Sequence, residues 1–178
     1  TEEKLQLLKL QESEFFSKTL LNSLTAIVYI FEPQAMRNIY TNDAISKMLG
    51  YSPANLSAKD SKLLEEITHP DDIKNFKDNC LEKIKGLIDG EAFENEFRMK
   101  DSRGNWHWLK SRETIYRRSP AGKVLQTLGV AIDITELKET EEALKDKTGY
   151  LRSVIGALPL AVFDLDREGC VVSIWNEA

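Results

Sequence analysis

The chain has 178 residues, 42% of them apolar and 8% aromatic, which is enough to close one hydrophobic core of ordinary domain size and too little for two average domains. With 29 acidic against 24 basic residues the formal net charge is -5, and no dense Lys/Arg stripe offers nucleic acid a docking face, so that class of partner is set aside. The longest unbroken apolar run, Ala26 to Phe31, is far short of the roughly 20 residues that span a bilayer, no export signal opens the chain, and Cys80 and Cys170 make no disulfide framework, so no membrane insertion and a cytoplasmic setting are expected.

Residues 1–24 contain no Gly or Pro and read as a helix, with Leu7, Leu10, Leu21 and Leu24 at heptad spacing around a weak centre at Glu14 and Ser17. Ala26 to Phe31 and Asn38 to Thr41 read as two strands joined by a turn through Pro33. Asp43 to Leu49 is a short helix that Gly50 ends as a C-cap, and Ser52-Pro53 opens another. His69-Pro70-Asp71-Asp72 is a stronger start signal, because Pro70 loses no needed amide and two carboxylates lie where the helix dipole favours them. The helix that follows carries Ile73, Phe76, Cys80, Ile84 and Leu87 on one apolar stripe.

Three strands come next, Ala92 to Lys100, Asn105 to Arg117 and Lys123 to Asp133, separated by the polar turns Asp101-Ser102-Arg103-Gly104 and Ser119-Pro120-Ala121-Gly122. Phe93, Phe97 and Met99 alternate with Glu94, Glu96 and Arg98, so the first of these strands buries one face. The expected fold is therefore α+β: a five-stranded antiparallel sheet with helices on one face, flanked by N- and C-terminal amphipathic helices. At Asp133-Ile134-Thr135 the last strand becomes a helix, capped by Asp133 or Thr135, with Leu137, Leu144, Leu151 and Leu158 seven residues apart. That seam fits either a parallel two-chain coil or a solvated linker packed on its own domain.

The end of the chain repeats its beginning. A shift of 134 positions lays Leu24 on Leu158, Val28 on Val162, Tyr29 on Phe163, Asn42 on Asn176 and Ala44 on Ala178. The organisation read from this is an N-terminal helix over 1–22, a domain over 23–135, a coiled-coil linker over 136–158 and the truncated start of a second domain over 159–178. Two strands lacking their sheet have unpaired edges, so 161–178 is expected to be mobile or to pair with another chain.

Asn42-x-Ala44, Gly50-Tyr51-Ser52, His69-Pro70-Asp71-Asp72, Gly104 with Trp108, Gly122-Lys123-Val124, and Gly129 leading to Asp133-Ile134-Thr135 follow one another in an order and spacing that resembles the PAS family. The resemblance covers roughly Leu21 to Thr135, and Val162 to Ala178 looks like the first two strands of a second such domain. It implies a sensory or relay module in a multidomain signalling protein, linked ahead of a histidine kinase, a cyclase or a transcriptional output. It also implies a homodimer joined through Leu7, Leu10, Leu21, Leu24, Leu137, Leu144 and Leu151, with signal transmission at Asp133, Ile134 and Thr135. No phosphate-binding loop, kinase-type glycine motif or Cys-x-x-Cys is present, so no catalysis is expected of these residues themselves.

A small ligand, if one binds, is expected between the long helix and the inner sheet face, beside Phe76, Cys80 and Phe97, although the same side chains would fill an empty core equally well. A haem or flavin sensor is the competing reading. Cys80 stands where haem-binding relatives carry an axial His, but this helix has no His, and Ser61 to Thr68 lacks the reactive Cys of light-sensing flavin domains. No motif asks for a cofactor, and none is expected. His69, Asp71 and Asp72 read as capping residues rather than metal ligands, and His107 as a strand surface residue.

Overall fold

Alternation of apolar and polar side chains builds five strands whose inward faces meet the stripes of several short helices. The computed structural model describes residues 2–57, 62–157 and 163–174. These residues form two compact units, Thr1–Thr135 and Glu136–Ala178.

In the first unit, α1 (Glu2–Ser23) leads into β1 (Ile27–Glu32) and β2 (Arg37–Thr41), followed by the short helices α2 (Ala44–Leu49), α3 (Pro53–Ser57) and α4 (Leu63–Ile67). A longer helical stretch follows as α5 (Pro70–Asn75), a wide π turn (Phe76–Cys80) and α6 (Leu81–Gly86). The sheet is completed by β3 (Ala92–Lys100), β4 (Trp106–Arg118) and β5 (Val124–Asp133). The five strands are antiparallel throughout, as the sequence led us to expect, and stand in the order β2-β1-β5-β4-β3.

The core lies between the inner sheet face and the short helices. Tyr29, Phe31, Met99, Leu109 and Ala131 from the sheet meet Ile45, Leu49, Leu56, Ile67, Phe76 and Ile84. The helical stripe from Ile73 to Ile84 is present, but the coil is not uniform. Within Phe76–Cys80 the Leu81 amide reaches back to the Phe76 carbonyl, one residue further than an α-helix allows. Phe93 and Phe97 are half-buried against the core rather than buried, whereas Met99, bridged to Thr68 just before α5, is buried.

Local signals explain the joints. Gly50 ends α2 at φ 78°, its amide donating to the Ser46 carbonyl, a left-handed turn that a side chain would strain. His69 caps α5, its Nδ1 accepting from the Asp71 amide, and its own amide donates to the Arg98 carbonyl, so the helix start is fastened to β3. Asn42 is buried and ties three segments together. Its Oδ1 accepts from the Val28 amide at 3.0 Å, while Nδ2 donates to the carbonyls of Leu21 at 2.7 Å and Ala26 at 3.1 Å. The C-terminal end of α1 is thereby pinned to the start of β1.

The second unit contains most of α7 (Thr135–Gly156) and a hairpin of β6 (Phe163–Leu165) and β7 (Val171–Ile174), turned by Asp166, whose Oδ1 accepts from the amides of Glu168 and Cys170. Phe163, Leu165, Val171 and Val172 are exposed. Leu158, Val162, Asn176 and Ala178, which carry part of the internal repeat, lie outside the described residues.

Gly129 faces Tyr29 across the β1–β5 pair and Glu113 across β4–β5, and a Cβ at this position would overlap the Tyr29 ring. Gly129→Ala should therefore lower the unfolding free energy by about 1–3 kcal/mol, the range for overpacking a tight interior. Denaturant titration of parent and variant measures it, and equal midpoints would show that the ring moves aside freely.

Candidate functional site

Beneath the sheet, the inner faces of β1, β3, β4 and β5 and the helical wall around Phe76 enclose a cavity of about 90 Å³. Ile27, Phe31, Ile45, Phe97 and Met99 give it apolar walls, and Tyr29, Asn95, Asp72 and Glu113 bring polar groups to it. Small-molecule sites usually measure ~300–1,000 Å³, so this hollow is matched to a molecule of a few heavy atoms.

Glu113 is 5% exposed. Its Oε1 accepts from the Tyr29 hydroxyl at 3.0 Å and its Oε2 from the Thr127 hydroxyl at 2.7 Å. Burial pushes the Glu113 carboxyl above the usual carboxylate range, and the two donated hydrogen bonds only partly offset this. Burial, and then the charge of Glu113, push the Tyr29 phenol upward as well. Gly129 makes the contact possible, because without a side chain on β5 between them the Tyr29 ring lies across that strand toward Glu113.

Asp72 also lines the cavity but is clasped from behind by Arg98. Its Oδ1 accepts from Nη2 at 2.9 Å, and its Oδ2 accepts from Nε at 3.0 Å and from the Arg98 amide at 2.7 Å. Burial opposes ionisation of Asp72, but these bonds outweigh it and hold its pKa below the usual range. So Asp72 does more than the capping expected of it, because the β3 backbone runs directly beside the helix start.

A second polar cluster sits where β5 ends. The Ile134 amide donates to the Trp108 carbonyl at 2.8 Å, and the Trp108 amide donates to Thr135 Oγ1 at 2.9 Å, which fastens the start of α7 to β4. Asp133 Oδ1 accepts from both the amide and the hydroxyl of Thr135. Its Oδ2 is 2.7 Å from His107 Nδ1, and His107 Nε2 is 3.4 Å from Asp101 Oδ2. His107 is thus no plain surface residue, since it shares the inward parity of Leu109 and is half-buried between two carboxylates. Burial works against its charge, yet the hydrogen bonds to Asp133 and Asp101 prevail and raise its pKa. Asp101 is itself held far below the usual carboxylate range, first by Asn105, with the amides of Asn105 and Arg103 and the His107 ring adding to it.

Among the residues singled out from the sequence, Phe76 and Phe97 line the cavity. Cys80 belongs to the buried core, its Sγ 3.7 Å from Asn75 Nδ2 and 3.8 Å from Asn95 Oδ1, and burial raises its thiol pKa. Ile134 is buried and Asp133 and Thr135 form the junction just described. Leu7, Leu10, Leu24, Leu137, Leu144 and Leu151 are exposed, and Leu21 is half-buried. Glu113 escaped the sequence reading, although it continues the inward period-two run of Leu109 and Ser111. No cluster of three or more His, Cys, Asp or Glu that fits a metal ion occurs among the described residues, and none of their helices is long and apolar enough to cross a membrane.

Residues 38–131 match the model of the family described as PAS fold. The methyl sulfide methyltransferase-associated sensor of Methanosarcina acetivorans is 27% identical over 145 residues, 80% of this chain and 14% of that protein. Two-component sensor PprA of Pseudomonas aeruginosa is 23% identical over 147 residues, 82% of this chain and 15% of that protein. The chain therefore spans a small fraction of the length of these curated relatives. In structure, a sensory box histidine kinase/response regulator from Burkholderia thailandensis superposes with a TM-score of 0.56 at 22% identity, over 72% of this chain and 92% of that one, a likeness of fold.

The His107 clamp predicts a pH dependence. An imidazole whose pKa is raised on folding adds stability that is complete below its unfolded value of about 6.5 and disappears as pH rises through the folded value. The unfolding free energy of the parent minus that of His107→Gln should accordingly be largest below about pH 6.5 and shrink above it. Urea titrations at a series of pH values test this, and a difference that stays constant across that range rules the clamp out.

Proposed function

The chain belongs to the PAS-fold family, and from that premise we propose that residues 23–135 are a sensory or relay domain of a larger signalling protein of the sensor-kinase kind, without catalysis of their own. The observation that carries this reading is the junction at Asp133, Ile134 and Thr135. There the end of the last strand and Thr135 are held to β4 by both backbone and side chains, through Trp108 and His107. On this proposal a shift of β4 against β5 is passed on at Thr135, the first residue of α7.

The cavity supplies the input end of this relay. Glu113, Tyr29 and Thr127 bridge β4, β1 and β5, so a change at the carboxylate is felt by all three central strands. The output end is α7, whose Leu137, Leu144 and Leu151 are 55%, 64% and 49% exposed. A helix in water with a leucine every seventh residue leaves that seam for a partner, and we assign the partner as α7 of a second copy. Glu141 and Thr148 at the other seam positions weaken such a coil enough to let it switch packing. On this reading 136–158 is a linker coil, α1 contributes a second dimer contact through Leu7, Leu10, Leu21 and Leu24, and 159–178 begins a second domain of the same family. Relatives named as sensors, and a neighbour named as a histidine kinase, support an output that lies elsewhere in the polypeptide.

A haem or flavin fits poorly. Either ring system needs several times the ~90 Å³ available, and the Cys80 thiol is held in its protonated form by burial rather than prepared as a thiolate ligand.

Light scattering of the chain over a wide concentration range should find dimers. Leu144→Asp with Leu151→Asp should weaken self-association by about a hundredfold or more, since burying each leucine is worth ~1.5–3 kcal/mol. A parent chain that stays monomeric at every concentration excludes the coil.

A further inference from the structure

We propose that the cavity beside Glu113 is a site for a small protonated amine, a primary alkylammonium of about four heavy atoms, with its N–H donors on the Glu113 carboxylate and its alkyl chain against the apolar walls. This rests on the reading of the cavity as a ligand site and adds the charge class of the ligand.

The cavity holds one carboxyl group that has no counter-ion. Two carboxylates line the cavity, and no Lys, Arg or His is among its described lining residues. Asp72 has its counter-charge in the two-pronged contact with Arg98. Glu113 has none: its partners are two neutral hydroxyls, one to each oxygen, which leaves further lone pairs on both. An anionic ligand would add a like charge beside Asp72, and a neutral one would offer the buried Glu113 carboxyl no counter-charge for ionisation. An ammonium supplies the missing charge together with three donors. Asn95 Oδ1, which otherwise receives only a long contact from the Cys80 thiol at 3.8 Å, is a second acceptor on the cavity wall.

Size sets the rest. The cavity of about 90 Å³ is far below the ~300–1,000 Å³ of usual small-molecule sites, which favours a short alkylammonium over an amino sugar or an aromatic amine. The groups facing Glu113 are Tyr29 from β1, Thr127 from β5 and Cys80 from the wide turn, none of which carries a positive charge. In the empty cavity burial favours the protonated carboxyl. Uptake of the ammonium selects the carboxylate, and the Glu113 proton leaves to solvent. Affinity therefore rises as pH passes upward through the folded pKa of Glu113, and falls only where the amine itself loses its proton, near pH ~10.

Isothermal titration of the whole chain with propylammonium chloride, 1-propanol and sodium acetate tests the assignment. Propylammonium should bind at least tenfold more tightly than either, and Glu113→Gln should erase that preference while leaving the circular dichroism unchanged. Independently of any variant, at a pH low enough for the parent chain to show the Glu113 protonated-carboxyl C=O band and Glu113→Gln to lack it, difference infrared spectra of the parent should lose that band when propylammonium is added. If 1-propanol or acetate binds as well as the amine, or Glu113→Gln keeps the full preference, the charge class is wrong and the cavity remains a ligand site. If none of the three binds and the infrared band is unmoved, both the inference and the cavity's role as an input site are overturned.

Discussion

The architecture turns on a missing side chain. Because Gly129 offers no Cβ, the Tyr29 ring can lie across β5 and bring its hydroxyl to Glu113, two strands away from its own. A carboxyl group this deeply buried is costly unless its oxygens are hydrogen-bonded, and Tyr29 and Thr127 meet that requirement from two different strands. Any residue larger than glycine at 129 would push the ring out of reach and leave Glu113 with half its partners. The polar heart of the sheet and the shape of its cavity thus share one steric condition.

The same central strands carry the chain in and out of the domain. β1 and β5 are antiparallel neighbours, with Ile27 opposite Ala131, so the start of one and the end of the other lie at the same end of the sheet. Each is secured there by a side chain that satisfies several backbone groups at once. Asn42 holds Leu21, Ala26 and Val28, and the Asp133–Thr135 pair, with Trp108 and His107, holds the exit. Polar clamps of this kind are directional in a way apolar packing is not, and a directional joint is what passing a strand displacement to a helix requires.

Much of this was legible in the amino-acid order. Strand alternation, the His69-Pro70 start, the Gly50 stop and the turn residues around Gly104 and Gly122 all act over a few residues, and the elements they delimit appear within one or two positions of where they were expected. What escaped depends on partners distant in sequence. Glu113 reads as a surface charge until β4 is set against β1 and β5, and only that pairing reveals a carboxyl facing inward. His107 gains its role from Asp133, and Asp72 from Arg98, each far along the chain. Phe76 and Cys80 are four residues apart, a spacing common to ordinary and widened helical turns, so the stripe did not disclose the wide turn.

That wide turn places one surplus residue in the helix just beyond Phe76, where the cavity wall gives way to the core. Reverting its i to i−5 bond to the ordinary i to i−4 bond takes up one surplus residue and rotates all that follows, Leu81 to Gly86, by about 100° around the helix axis. The surplus residue also sets the phase of the stripe, since Phe76 before it faces the cavity while Cys80 and Ile84 beyond it stay in the buried core, so a deletion within Phe76–Cys80 would turn Ile84 out of that core.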